Sequence, residues 1–124
     1  MGYERHNAIL ISSWNNALLA EAHRVAMDIF ASIAPVTPIV TSEINGVGTF
    51  LVAPDGSKEG WDESNAGDRA RARLIGWLDE HRYEDGSTAL AWVEVQYGDG
   101  DRETAVVAHS DEPSRRKALD AKPE

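Results

Sequence analysis

The sequence predicts an α+β fold: a ferredoxin-like βαββαβ pattern with an additional C-terminal strand, giving an antiparallel sheet with two helices on one face. Three observations lead there. Strand-like and helix-like periods alternate in the order β-α-β-β-α-β-β. Glycine turns stand where two hairpins are needed, at Asn45-Gly46 and at Gly98-Asp99-Gly100-Asp101. The chain has 124 residues with 42% hydrophobic content, which suits one domain with a modest core.

The first strand is "ERHNAILISS", apolar on both faces over a short run, as a central strand requires. The period then changes. In "WNNALLAEAHRVAMDIFASI", Leu18, Ala22, Val25, Ala26, Ile29, Phe30 and Ile33 recur at three- and four-residue steps, the mark of an amphipathic helix. Asn15 or Asn16 supplies an N-cap oxygen, and Pro35 and Pro38 end the helix. In "PIVTSEINGVGTFLVAP", two strand-like runs flank Asn45-Gly46, which reads as a type I′ turn. A polar loop follows, and Ser64 or Asn65 is expected to cap the second helix with Asp68 in its first turn. On that helix Ala70, Leu74, Trp77, Leu78 and His81 share a face, and Arg69, Arg71 and Arg73 take more exposed ones. "TALAWVEVQYGDGDRETAVVAH" supplies the last two strands, with the face of Trp92 set by register. Residues 1–109 form the expected domain, and 110–124, charged and holding two prolines, a disordered tail.

In this topology the first strand runs opposite to the third and fourth. One end of the sheet should then gather Trp61, Tyr97, Tyr3 and His6 with the acids of the adjoining loops. Trp14, the Asn45-Gly46 turn and Tyr83 should lie at the other.

Charge narrows the function. The formal net charge is −9, and 17 of the 21 acids but 8 of the 12 bases fall in residues 1–109. A body this acidic repels a phosphate backbone, so direct nucleic-acid binding is disfavoured and basic partners are favoured. No run is apolar enough to span a membrane, and the N-terminus lacks the basic start of a signal peptide. The absence of cysteine fits a reducing compartment such as the cytoplasm.

Catalytic and metal motifs are not found. His6, His23, His81 and His109 have no zinc-site spacing, and "DGDRE" and "DESNAGD" depart from the calcium-loop pattern. Ser12 and Ser13 lack a nucleophile elbow, and Asp79-Glu80 and Glu84-Asp85 are sequence neighbours that cannot face each other across a substrate. No catalytic residue, metal ligand or cofactor is therefore assigned.

The favoured reading is a non-enzymatic binding protein, paired with a second copy over the face of the sheet that carries no helix. Its acidic loops would meet a basic protein. Asp55, Glu59, Asp62, Glu63, Asp99 and Asp101 are its candidate acids, with Trp61 as the anchor and Tyr97 beside it. The plainer reading of Trp61, and the favoured one, is a plug over the end of the sheet, since loop aromatics in small domains are often recruited to the core. The alternative is a nucleotide-like small molecule held between subunits by Arg5, Arg69, Arg71, Arg73 and Trp61. A small enzyme on the same fold is a third reading.

The stretches "VAPDGSKEGWDES", "AGDRARARLIGWLDE", "RYEDGS" and "WVEVQYGD" together resemble a group of small proteins encoded in tailed phages and prophages. The resemblance covers most of residues 4–108. It implies a bacterial host cytoplasm and an accessory role there, with no activity and no residue role attached.

Overall fold

A computed structural model describes residues 6–57, 61–98 and 103–111. Seven elements follow one another: β1 (His6–Ser13), α1 (Asn16–Phe30), β2 (Val40–Thr41), β3 (Gly48–Val52), α2 (Asp62–Glu80), β4 (Ala91–Tyr97) and β5 (Ala105–His109). The five strands form one antiparallel sheet in the order β2-β3-β1-β4-β5. β1 is central because its alternation buries both of its faces in part. Ile9 and Ile11 face the helices, and Ala8 is also buried.

The core lies between the sheet and the two helices. Ile9, Ile11, Phe50, Val52, Leu90 and Trp92 from the sheet side meet Leu19, Ala22, Ala26 and Phe30 of α1 and Ala70, Leu74 and Leu78 of α2. Complete burial of a large aliphatic or aromatic side chain contributes about 1.5–3 kcal/mol, so this cluster is the main favourable term of folding. The register settles Trp92: it pairs with Ile11 and faces the helices, as do Leu90 and Glu94.

Several local expectations change. Asn15 caps α1, its Oδ1 accepting from the Leu18 N–H at 3.0 Å, but Leu19, absent from the expected stripe, is the more buried leucine. The 42–47 loop is not a type I′ turn. Gly46 has φ 75°, while Asn45 stays out of the left-handed region and its Oδ1 accepts from the Val47 N–H. The Gly46 N–H reaches back to the Ser42 carbonyl, a longer connection than two residues allow. Helix α2 starts at Asp62, with Trp61 at the N-cap position and Asp62 and Glu63 in the first turn, where acids suit the dipole. Ser64, expected as a cap, is instead buried inside the helix. Trp77 is only partly buried and stacks on His81 at 3.8 Å between ring centroids. Trp14 is 70% exposed rather than covering α1.

The two ends of the sheet assemble as the topology requires. His6 pairs with Tyr97, and Ile9 with Val52 just before the 53–57 loop. At the other end Ser12 pairs with Ala91, and Ser13 with Gly48. Asp99, Gly100 and Asp101 of the second hairpin, Tyr3 and the tail from residue 112 lie outside the described residues, although Ser110, where the tail was expected to begin, is buried and held by Trp92. Among the described residues no helix is long and apolar enough to cross a membrane.

Candidate functional site

Two surfaces stand out, one on each side of the sheet. The first is built around Arg71. Its neighbours in the buried stripe of α2 are Ser64, Gly67, Ala70, Leu74 and Leu78. Arg71 was expected on an exposed face and is 6% exposed. The reason is a ring of carboxylates from three directions. Arg71 Nη1 lies 3.3 Å from Asp55 Oδ2, Nη2 lies 2.5 Å from Asp68 Oδ1, and Nε lies 3.6 Å from Glu94 Oε2. Asn7 Nδ2 on β1 donates to the same Glu94 oxygen at 2.9 Å. Asp55 Oδ1 in turn accepts from the Ser57 amide at 2.8 Å and hydroxyl at 2.6 Å.

Gly67 makes this possible. A Cβ at that position would run into Asp55 Oδ2, so a larger residue would have to displace the carboxylate from its place beside Arg71. Burial pushes the Asp55 carboxyl upward in pKa. The Ser57 hydrogen bonds and the Arg71 charge outweigh it, and the carboxyl ends below its ordinary value. Asp55 is therefore part of an internal ion network, not an acid free for a partner.

Arg71, Glu94 and Asn7 form part of the wall of an open cleft of about 630 Å³ between α2 and strands β4 and β5. Ile75 and Val107 supply apolar wall, and Asp68 and Asp79 supply further acids. Asp79 is already paired with Arg82, at 3.0 Å.

The second surface is the face of the sheet opposite the helices. Its strand positions are His6, Ala8, Leu10 and Ser12 on β1, with Leu51, Val93, Val95, Tyr97 and Val106 beside them. Leu10 is 45% exposed and Val106 57%. A groove of about 570 Å³ runs between Leu10, Val93, Val106 and His109, with Asp111 also lining it.

The remaining candidates scatter. Asp62 and Glu63 are exposed at the start of α2 beside Trp61, itself 48% exposed, so that end of the helix presents two acids and half an indole. Glu59, Asp99, Asp101 and Arg5 lie outside the described residues. Tyr97 packs on His6 at 5.3 Å. Arg69 and Arg73 are exposed towards α1 near Ile29, on the other side of α2 from Arg71. Arg69 and Arg73 therefore do not come together with Arg71 as the nucleotide reading requires. Among the described residues no group of three or more acids and histidines is placed to hold a metal ion.

Sequence reasoning missed Glu94 and Asn7. The signal was present in the alternation: Glu94 shares its face with Trp92, and Asn7 with Ile9. An acid on a core-facing strand position needs a cation to face it.

No family model matches the chain, and no curated protein and no solved structure matches it.

Proposed function

We propose that the protein is a non-catalytic binding protein that works as a pair of identical chains. The pair would be joined through the helix-free face of the sheet, leaving acidic surface for a basic partner. The observation that carries this reading is the composition of that face. In a chain that is 27% charged, its strand positions hold no Lys, Arg, Asp or Glu. The strands of a second copy would bring no like charge against it, despite the net charge of −9, and Asp111 lines the groove from beyond β5. A basic partner would find no counter-charge on those strands and only Asp111 beside the groove, so such a partner fits better elsewhere, with Asp62, Glu63 and Trp61.

The area supports the same occupant. Four strands about 4.8 Å apart, each five to eight residues at about 3.4 Å, give a footprint of roughly 20 by 20 Å. With side-chain relief, two such faces would bury on the order of 1,200 Å² in all, the lower edge of stable interfaces. Isolated monomers rarely leave a contiguous apolar patch of more than a few hundred Å² open. We also take the scaffold to be ferredoxin-like with β5 added outside β4. The support is the position of β1 between β3 and β4.

Sedimentation velocity tests the pairing. Leu10→Glu and Val93→Glu place a carboxylate in the middle of the face and should abolish self-association. Ile44→Glu, at a loop position 95% exposed, should leave it intact. A Leu10→Glu protein that associates as the native chain does would overturn the reading.

A further inference from the structure

The cleft between α2 and β4 lies on the helix side of the sheet, away from the face proposed for pairing, so the two readings stand or fall separately. We propose that this cleft is a binding site for an alkyl-ammonium or alkyl-guanidinium group.

One acceptor on the cleft wall takes no donor from the described residues. Glu94 is 9% exposed, yet Arg71 Nε and Asn7 Nδ2 both approach its Oε2. Oε1 has no donor among the described residues. Asn7, also 9% exposed, is in the same position, with its amide nitrogen engaged and its Oδ1 not. No buried side-chain oxygen among the described residues lacks a partner. Neither oxygen takes a donor from a described residue, and both side chains line the cleft. Two nearly buried side chains on the cleft wall thus carry acceptors that no described residue engages, one of them anionic.

The cleft's one cation among the described residues is already engaged. Its cation, Arg71, already faces Asp55, Asp68 and Glu94. Asp68, Asp79 and Glu94 against Arg71 leave the wall net negative. An anion, a nucleotide included, is disfavoured there, and a positively charged donor is favoured. Ile75, Ala72 and Val107 supply apolar wall for the stem that such a group carries. The volume of about 630 Å³ falls among those of small-ligand sites.

Two sources carry this chemistry: a free polyamine and a basic side chain of a peptide. An amide-NMR titration separates them, with spermidine as one probe, N-acetyl-argininamide as the other and neutral N-acetyl-citrullinamide as the control. The expected result is a saturable shift of the Asn7 and Gln96 side-chain amides and of the Ile75 and Val107 backbone amides with a cation and not with the control. The tighter of the two cations names the source. Glu94→Gln should weaken binding at least tenfold. Val107→Trp fills the cleft from a position already 42% exposed and should abolish binding without touching the ion network, which keeps the test open if Glu94→Gln fails to fold. The proposal is overturned if neither cation shifts these amides, if the control shifts them equally, or if Val107→Trp titrates like the native protein.

Discussion

Arg71→Met removes the guanidinium from the centre of the network and keeps much of the apolar stem. The Arg71, Asp55 and Glu94 side chains are 7%, 9% and 12% exposed, so two carboxylates would be left in low dielectric without their cation. Removing one partner of a buried ion pair costs about 3–5 kcal/mol. The Asp68 pair adds only about 0–1 kcal/mol, because Asp68 is 66% exposed and screened by water. A loss of about 3–5 kcal/mol is a large share of the roughly 5–15 kcal/mol that holds a domain together. At a urea slope of about 2 kcal/mol/M, the unfolding midpoint should fall by about 1.5–2.5 M. Urea titration followed by circular dichroism measures this, at one fixed protein concentration because self-association would shift the midpoint. Arg71→Met, Asp55→Asn and the double variant complete a cycle. The double variant should be much less damaged than the two singles predict. A loss under about 1 kcal/mol, or additivity within about 0.5 kcal/mol, would refute the claim that these groups form one buried network.

Two glycines of α2 should respond in opposite directions to the same change. Gly67→Ala should lower the melting temperature although alanine favours helix, because its Cβ meets Asp55; Gly76→Ala has open space and should gain about 0.5–1 kcal/mol. Equal responses in a thermal melt would contradict the close approach at Gly67. Asn15→Ala should cost about 1 kcal/mol through loss of the α1 cap, read from the urea midpoint. Asp55 sets an acid dependence. Its folded pKa lies below the ordinary value, so its contribution is complete above about pH 4 and is lost as pH falls through the lower folded value. The stability gap between the native chain and Asp55→Asn should therefore close in acid. A gap that stays constant from pH 7 to below pH 4 would count against it.

The elements were readable because their periods differ. The alternation around Ile9 and Ile11 and the three- and four-residue steps of α1 place the core without tertiary information. Arg71 was not readable the same way. A helical arginine is ordinarily solvated, and its counter-charges come from β4 and from a loop sixteen residues upstream. The spacing Ser64, Gly67, Arg71, Leu74, Leu78 carries part of the signal, since a mid-helix glycine four residues before an arginine marks a close approach. Asp55 had no local signal at all: as a loop acid beside Pro54 and Gly56 it looks like ordinary turn chemistry until the loop folds onto α2. Trp61 falls between its two readings, at the head of α2 and 48% exposed. The helix-free face was foreseeable as a face, because two helices on one side of a sheet leave the other uncovered. Its lack of charge emerges only from the register that aligns Leu10 with Leu51 and Val93.

That face is the centre of the functional account, and the molar mass of the unmodified chain in solution tests it most directly. Light scattering across a concentration series should show the mass rising from the 13.6 kDa of one chain to a plateau at twice that value by micromolar concentrations. A mass that stays at one chain throughout the series would contradict the pairing, and with it the account of why this acidic protein keeps the strand positions of one face free of charge.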